Sequence, residues 1–449
     1  MDNFSLSADI VVVGAGNAAL CAAIAAAEAG SDVIVLEAAS CDERGGNSRF
    51  TAGAMRIVYN GVEELREIIP DLNDADLKKT DFGKYTFDDY FDDMVRTTKC
   101  RADPDLVELL IKNSFETVKW MRNQGVRFQP SYGRQAFEVD GKFKFWGGLA
   151  IETWGGGVGL MGSLFERAEE LGVRIVYEAR ATELRINNGR IEGVLVNFKG
   201  NAVIEVVAKS VVLASGGFEA NAEMRARYLG PGWDLAKVRG TRHNMGEGIT
   251  MALAIGASPS GNWSGCHAVG WDMNAPEFGN LAVGDGFQKH SYPFGIMVNA
   301  HGNRFLDEGA DFRNFTYAKY GREILAQPGN FAWQIFDARV SHLLRDEYRI
   351  REVTRVEAGS ISVLADKLEG VNKDTFLKTV TEFNNAILDE IPFHPNVKDG
   401  RATKGLSIEK SNWSNRLDTP PFEAYCVTCG VTFTFGGLRI DNQARVIDV

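Results

Sequence analysis

Three small residues and one acid stand at a spacing that suits a nucleotide ligand. Gly14, Gly16 and Ala19 follow one another in "VVVGAGNAAL", and Glu37 comes about 20 residues later. A glycine at the first position allows a tight turn, and one at the second lets a pyrophosphate approach the backbone. A small third residue lets a helix pack closely on a strand, and the carboxylate can accept from ribose hydroxyls. This spacing predicts a bound dinucleotide.

The surrounding segments predict the strand–helix–strand unit that positions these residues. Residues 10–13 are apolar and predict a buried strand, and the Ala-rich stretch after them predicts a helix that ends at Gly30. Residues 33–36 predict a second buried strand, with Glu37 at its end. The helix N-terminus would then face the phosphates. The ordered set is more specific than the glycines alone, for which chance glycines at a helix start are the alternative.

Composition bounds the rest of the chain. The 449 residues are 45% hydrophobic and 24% charged, which is typical of a globular protein of two or three domains. The net charge of −11, with no basic block in the sequence, argues against a nucleic-acid or anionic-membrane partner. An anionic substrate would therefore need a local cluster of Arg and His.

The cysteines and the first residues indicate a cytoplasmic protein. Six scattered cysteines fit a reducing compartment. Cys426 and Cys429 form a CxxC inside an apolar run, so we expect two small core residues there; a redox or metal pair is the alternative, and no metal is expected. Residues 1–9 lack the basic start of a signal peptide, and the run 18–29 is too short to span a membrane.

Two further Gly-rich turns are candidates for contact with the same ligand. The stretch "ERGGNSRFTAGAM" places five small or polar residues after the ribose acid: Gly45, Gly46, Asn47, Ser48 and Gly53. Later, "RIVYEARATELRINNGRIEGVLV" alternates like a β-meander, with a turn at Asn187, Asn188 and Gly189. The strand in "VVLASGGF" then leads into Gly216.

Together these motifs resemble the fumarate reductase/succinate dehydrogenase flavoprotein superfamily, and the resemblance spans essentially the whole chain. It implies FAD as the cofactor. In respiratory members a His at about the position of Asn47 carries FAD covalently, so Asn47 implies non-covalent FAD. Glu247 is similar to the acid of the family's TGDG turn, which contacts the ribityl side; a favourable charge in a helix's first turn is the alternative. The residues assigned to FAD are Gly14, Gly16, Ala18, Ala19, Glu37, Gly45, Gly46, Asn47, Ser48, Gly53, Ala181, Ala214, Gly216 and Glu247.

The resemblance also implies a substrate site. "VNAHGNRFLDEGADFRNF" is similar to the family's VNxxGxRFxxE hairpin, after which an Arg protonates the substrate's α-carbon; Arg313 matches it, one residue further along. Because Arg has a pKa above about 12, we expect a proton relay through Glu308 or Asp311. The alternative is a surface Arg313 paired with Asp311. The substrate-binding candidates are His267, His290, Arg304, Arg242 and His243. Such cations suit a di- or tricarboxylate, which Arg binds by paired hydrogen bonds.

Phe433 narrows the implied activity. In "TFTFGGL" it takes the place of a His that binds a substrate carboxylate in fumarate reductases. The chain is most similar to the tricarballylate dehydrogenase branch, which implies oxidation of tricarballylate to cis-aconitate. A separate electron-transfer protein would then reoxidise FAD. This chain would contact a membrane only indirectly, through that electron-transfer protein. The alternatives are a reductase of another unsaturated acid, a ketosteroid dehydrogenase and an inactive flavin-binding module.

The expected fold class is α/β. A Rossmann-type FAD-binding domain over residues 1–268 is interrupted by an α+β capping domain over 269–428, and residues 429–449 return to the first domain. Residues 438–440 and 445–449 predict two short strands around a turn at Asp441 and Asn442. In the family such a hairpin leads to a further strand and a Gly-rich turn. We therefore expect a segment after Val449 to be missing, with weak FAD binding and poor turnover as the result.

Overall fold

The computed structural model describes residues 5–145, 147–200 and 202–449. The α-helices are α1 Asn17–Glu28, α2 Val62–Ile68, α3 Asp74–Lys79, α4 Phe87–Thr98, α5 Pro104–Asn123, α6 Tyr132–Gln135, α7 Gly156–Glu170, α8 Ala222–Leu229, α9 Glu247–Ala254, α10 Arg313–Leu325, α11 Ile361–Ala365 and α12 Lys373–Ala386. Among the described residues, no helix combines the length and apolar character that crossing a membrane requires.

The strands are β1 Ser5–Val13, β2 Val33–Leu36, β3 Ala54–Met55, β4 Phe128–Pro130, β5 Ala136–Val139, β6 Lys142–Phe145, β7 Ile151–Thr153, β8 Arg174–Val176, β9 Ala179–Asn187, β10 Arg190–Phe198, β11 Ala202–Leu213, β12 Lys237–Val238, β13 Pro259–Asp272, β14 Ile296–Val298, β15 Ala332–Phe336, β16 Arg355–Ala358 and β17 Phe422–Leu438.

Backbone contacts divide the chain into two units. The first comprises the chain up to Met224 together with Gly240–Gly265 and Thr434–Val449; the second comprises Arg225–Arg239 and Cys266–Phe433. Arg225–Arg239 was expected in the first domain, but it groups with the second unit. The reason is a parallel ladder in which β12 pairs with Gly430 and Val431 of β17. The other boundaries lie a few residues from the expected 268 and 429.

The first unit contains the predicted strand–helix–strand motif within a six-stranded sheet of order β8-β2-β1-β11-β10-β9. β1 pairs in parallel with both β2 and β11, whereas β10 pairs antiparallel with β9 and β11. Val33–Leu36 is buried along its whole length, as expected of a central parallel strand. Asn188 is left-handed, with a φ of 50°, at the turn predicted between β9 and β10.

The second unit is built on a sheet of order β12-β17-β15-β14, with β13 and β16 also paired to β17. β15 and β16 both run antiparallel to β17. Cys426 and Cys429 of β17 are buried and not disulfide-bonded. Burial raises the pKa of Cys426 to about 12. The expectation of two small core residues is confirmed.

The predicted turn at the end of the chain forms within the first unit. Ile440 and Val446 make a β-bridge across it. Oδ1 of Asp441 accepts hydrogen bonds from the backbone N–H groups of Gln443 and Arg445, both at 2.9 Å. Asp441 therefore closes the turn through its own side chain, a common role for Asp in turns.

Candidate functional site

A groove of about 230 Å³ lies in the first unit, where the ends of β1 and β2 meet the start of α1. Most of the residues predicted to bind the dinucleotide line it: Gly14, Gly16, Ala18, Glu37, Gly46, Asn47, Ser48, Ala181, Ala214, Gly216 and Glu247. Residues that the sequence did not assign to the cofactor also line it: Asn17, Arg180, Ser215, His243 and Asn244. The groove therefore unites residues from the beginning and the middle of the sequence.

Two glycines keep the groove open. Gly14 has a φ of 102°, and a Cβ there would lie 2.5 Å from the backbone oxygen of Ala214. Gly216 has a φ of 76°, and its Cβ would lie 2.6 Å from Nδ2 of Asn244. Any side chain at either position would clash and adopt a strained backbone. These close approaches are what a pyrophosphate cradle requires, so the residues present fit a dinucleotide.

The other three residues predicted to bind the cofactor are not among those that line the groove. Ala19 is fully buried in the core with Val12. Gly45 is left-handed and precedes the turn Gly46–Phe50. The backbone oxygen of Gly53 accepts from the N–H of Thr153 at 3.0 Å, and a Cβ on Gly53 would lie 1.9 Å from Oγ1 of Thr153. Their small size serves packing and loop shape.

Glu37 is buried at the end of β2. Its Oε1 accepts from the backbone N–H of Ala39 at 2.8 Å. Burial raises the pKa of this carboxyl, although backbone hydrogen bonds and the charge of Arg180 act in the opposite direction. A buried carboxyl in the groove is suited to bind hydroxyl donors, as the ribose assignment requires.

Arg180, Glu247 and His243 form a connected set on the groove wall. Nη1 of Arg180 donates to Oε1 of Glu247, and Nη2 lies 3.3 Å from Nδ1 of His243. Nε2 of His243 lies 3.4 Å from Oε2 of Glu43, and burial lowers the pKa of His243. His243 therefore lines the dinucleotide groove, so its expected role in substrate binding is not supported. Its neighbour Arg242 is an exposed residue of the same unit.

Asn47 joins two loops through its side-chain amide. Nδ2 donates to Oε1 of Glu219 at 2.7 Å, and Oδ1 accepts from the backbone N–H of Thr241 at 2.9 Å. Nδ2 of Asn244 donates to the same Glu219 oxygen at 2.5 Å. Neither Glu219 nor Asn244 was predicted from the sequence. The signal was a lone Glu directly after the Gly-rich turn in "SGGFEAN".

The second unit brings together two of the predicted substrate residues in a group that we call the His–Tyr cluster: His267, His290, Tyr317, Thr432 and Phe433. Nδ1 of His267 lies 3.0 Å from Oγ1 of Thr432. The His267 ring stacks on Phe433, with centroids 4.9 Å apart, and meets Tyr317 edge-on at 5.1 Å. Tyr317 also contacts the ring of His290 at 4.8 Å. His290 is 3% exposed, and its Nε2 has no hydrogen-bond partner among the described residues.

Arginines surround this cluster and keep its histidines neutral. Burial lowers the pKa of His290 well below its usual value, and the charges of Arg239, Arg313 and Arg345 lower it further. Burial and then Arg239 lower the pKa of His267 to about 3. Both shifts disfavour the charged form of these histidines, which were expected to act as cations. The positive charge comes from the arginines.

Arg239 was not predicted; Arg242 was expected in its place. Nε of Arg239 donates to Oδ1 of Asp285 at 2.6 Å. Nη1 lies 3.3 Å from Oγ1 of Thr432, and Nη2 lies 3.4 Å from Oε1 of Gln288. No motif in the sequence distinguishes these two arginines.

Arg313 begins α10. Burial, reinforced by the charge of Arg345, lowers its pKa to about 10. The carboxylate whose charge acts in the opposite direction is Glu347, which accepts from Nε of Arg345 at 2.9 Å. Neither Arg345 nor Glu347 was predicted, because both lie in a segment without a recognisable motif.

The expected relay carboxylates have other partners. Nη2 of Arg304 donates to Oε2 of Glu308 at 2.6 Å, and Oε1 of Glu308 accepts from the backbone N–H of Met297 at 2.8 Å. The exposed fractions of the two side chains are 6% and 0%. Oδ1 of Asp311 lies 3.6 Å from Nζ of Lys398. Arg304 and Glu308 therefore form a buried structural ion pair, which does not support a substrate role for Arg304 or a relay role for Glu308.

A protein-family model described as an FAD binding domain matches residues 9–449. The chain belongs to the FAD binding domain family. A probable fumarate reductase of Shewanella frigidimarina (strain NCIMB 400) is 29% identical over 457 residues, covering 99% of this chain and 68% of the relative. An NADH:fumarate oxidoreductase of Klebsiella pneumoniae (strain 342) is 25% identical over 453 residues, covering 99% of this chain and 43% of the relative.

Solved structures of similar proteins agree with the fold. The open conformation of a flavocytochrome c3 fumarate reductase has a TM-score of 0.72 and 25% identity, covering 99% of this chain and 70% of that one. A 3-ketosteroid delta1-dehydrogenase from Sterolibacterium denitrificans has a TM-score of 0.72 at 20% identity, which is a likeness of fold; the match covers 98% of this chain and 91% of that one. The expected mixed α/β flavoprotein fold is confirmed. FAD is the cofactor, and the chain is an FAD-dependent oxidoreductase of the fumarate reductase/succinate dehydrogenase superfamily.

Proposed function

We propose that this chain interconverts a CH–CH bond and a C=C bond next to a carboxylate. The observation that carries the proposal is the His–Tyr cluster, whose His290 is buried. Burial lowers the pKa of His290, and the charges of Arg239, Arg313 and Arg345 lower it further. Partly buried cations of this kind suit a carboxylate, because Arg binds carboxylates by paired hydrogen bonds. Both curated relatives described above carry fumarate, an unsaturated carboxylic acid, in their names.

The groove of the first unit would hold FAD without a covalent bond. The backbone at Gly14 and Gly16 would approach the pyrophosphate, and Glu37 would accept from the ribose hydroxyls. Asn47 is bonded to Glu219 and Thr241, and an amide does not form the covalent link made by a His. When bound, FAD supplies the hydride-transfer chemistry.

Arg313 would move the proton at the substrate's α-carbon. A pKa lowered to about 10 makes the guanidinium a stronger acid than free Arg, which brings it closer to the range in which general acid–base catalysis is efficient. Glu347 takes the place of Glu308 and Asp311 as the proposed proton partner, since its charge acts on Arg313. Arg239 would hold a substrate carboxylate, and the neutral His290 would hydrogen-bond to the substrate through Nε2.

Tricarballylate, oxidised to cis-aconitate, is the first candidate substrate. Phe433 presents a ring stacked on His267 where a fumarate reductase would place a carboxylate-binding His, while three arginines suit an acid with several carboxylates. The second candidate is reduction of an unsaturated acid, which the names of the relatives favour. A separate electron-transfer protein is the proposed partner, and six free cysteines support a reducing, cytoplasmic location.

Anaerobic flavin spectra test both directions. The oxidised, FAD-loaded chain is mixed with tricarballylate or succinate, and the dithionite-reduced chain with cis-aconitate or fumarate. We expect tricarballylate to bleach the flavin faster than succinate does. Equal or faster bleaching by succinate would contradict the tricarballylate assignment. If no carboxylate changed the spectrum in either direction, the proposal would be wrong and the inactive-module alternative would replace it; bleaching by a 3-ketosteroid alone would favour a steroid dehydrogenase.

A further inference from the structure

Lys289 is fully buried in the second unit, and its Nζ lies within 3.4 Å of five oxygen atoms. We call these oxygens the carbonyl cage. They are the backbone oxygens of Gly286 at 3.3 Å, Phe287 at 3.3 Å, Gln288 at 3.2 Å and Glu347 at 2.9 Å, and Oδ2 of Asp272 at 3.4 Å. The proposed reaction assigns no role to this lysine.

The number of oxygens exceeds what an ammonium can bond individually. A lysine ammonium has only three N–H donors. Five oxygens at similar distances therefore cannot each accept a separate hydrogen bond, and their attraction to the ammonium is mainly that of a spherical positive charge. Backbone carbonyls together with a carboxylate are also the usual ligands of hard cations. The carbonyl cage therefore has the composition of a cation site, with the ammonium at its centre.

Two of the groups that supply cage oxygens, Asp272 and Phe287, are held by bonds that do not involve the ammonium. Oδ1 of Asp272 accepts from Oγ1 of Thr354 at 2.6 Å and from the backbone N–H of Asn274 at 2.9 Å. The backbone oxygen of Phe287 accepts from the N–H of Asp272 at 2.8 Å. The backbone of Lys289 itself bonds to Gly270 at 3.0 Å. These groups and the backbone of Lys289 should therefore keep their positions when the ammonium is removed, which leaves the cage oxygens facing the vacated place.

We propose that the carbonyl cage is a monovalent-cation site whose built-in occupant is the ammonium of Lys289, and that it binds NH₄⁺ or K⁺ in a variant without that ammonium. The site adjoins the His–Tyr cluster along the chain. Gln288, which accepts from Arg239 at 3.4 Å, precedes Lys289, and His290 follows it. The ammonium of Lys289 thereby links residues 286–290 to the backbone of Glu347, as a bound free cation would do.

Lys410 provides a matched control in the same unit. It is also fully buried, and burial lowers its pKa to about 8. Its Nζ donates to one backbone oxygen, that of Gly295 at 2.6 Å, and no other hydrogen-bond partner is present among the described residues. Removing this ammonium leaves no comparable ring of oxygens.

The test compares Lys289→Met and Lys410→Met in the FAD-loaded full chain. Met keeps the apolar stem of each lysine and removes its charge. Thermal unfolding is measured in NH₄Cl, KCl and NaCl at equal ionic strength. We expect both variants to lose Tm in NaCl, and Lys289→Met alone to regain it in NH₄Cl or KCl along a saturation curve, because a ligand stabilises the state that binds it. The wild-type Tm should not depend on the choice of cation.

Each other outcome contradicts the proposal. Equal Tm values of Lys289→Met in the three salts, or the same recovery in Lys410→Met and in wild type, would show that the cage does not bind a cation. If Lys289→Met fails to fold in NaCl, the yield of folded protein after refolding in NH₄Cl becomes the readout. Folding restored by NH₄Cl supports the site, and failure in both salts overturns it. These readouts do not depend on the proposed reaction.

Discussion

Arg313→Met should stabilise the folded chain while it abolishes turnover. Burial lowers the pKa of Arg313 from the ordinary value of an arginine to about 10, and one pKa unit is worth 1.36 kcal/mol, so the charged form costs the folded state about 3 kcal/mol. This pKa already includes the favourable contacts of the guanidinium. Because the side chain is only half-buried, the expected gain at pH 7 is about 1–3 kcal/mol. The sign follows from linkage. Below about pH 10 Arg313 is charged in both states, and the charge is less favourable in the folded state, so removing it raises the free energy of unfolding.

Arg304→Met is the control, since burial acts against the charge of Arg304 as it does for Arg313, but the pKa of Arg304 is raised. The charge of Glu308 opposes the effect of burial and favours the protonated guanidinium. Removing Arg304 would leave the carboxylate of Glu308, which is 0% exposed, without its counter-ion. Breaking a buried pair in this way costs about 3–5 kcal/mol. The two substitutions should therefore change stability in opposite directions.

Urea unfolding of the FAD-loaded variants at pH 7 measures both effects. The midpoint should rise for Arg313→Met and fall for Arg304→Met, with an unchanged dependence on urea. Turnover with the carboxylate that reacts in wild type should fall by 10²–10⁴-fold in Arg313→Met, the usual contribution of a general acid or base. A destabilised Arg313→Met, or one with activity within threefold of wild type, would refute the assignment of Arg313.

Three further predictions concern the cofactor, acid stability and the relay. Acid or heat should release intact FAD, because Asn47 forms no covalent link; flavin fluorescence on denatured protein in a gel would contradict this. The pKa of His267 is about 3 in the folded state, below its unfolded value, so protonation of this ring favours unfolding. The wild-type protein should therefore lose stability as the pH falls from 6 to 4. In His267→Phe that loss should be smaller, by up to about 1.4 kcal/mol per pH unit. Urea midpoints across that range measure it, and parallel curves for the two proteins would exclude the effect. Glu347→Gln should reduce turnover at least tenfold more than Asp311→Asn, as measured by flavin reduction rates; the reverse order would restore Asp311 as the relay.

The dinucleotide groove could be predicted because its requirements are local. Gly14 has a positive φ, and a Cβ at this position would lie 2.5 Å from the backbone oxygen of Ala214. Only glycine satisfies both conditions, so the residue type itself reveals the geometry. The same holds for the strand ends that carry Glu37, whose position follows from the apolar run before it.

The His–Tyr cluster and its arginines could not be predicted in full because they come from separate segments of the chain. Arg239, Arg345 and Glu347 belong to no motif, and tertiary structure alone places their charges near His290 or Arg313. The protonation of His267 is likewise a tertiary property, since burial is the main cause of its low pKa. Residue types suggested a cationic site, but they did not show which side chains carry the charge.

Arg304 and Arg313 show how structure separates two residues that the sequence treats alike. Both lie in one stretch of the chain, both were expected at the substrate, and burial acts against the charge of each. The charge of Glu308 raises the pKa of Arg304, and the two side chains form a buried ion pair. Beside Arg345, Arg313 has a lowered pKa, which costs stability and brings its proton nearer to exchange. Burial and the charge of Arg345 thus disfavour the charged form of Arg313, which is the electrostatic condition that the proposed acid–base role would need.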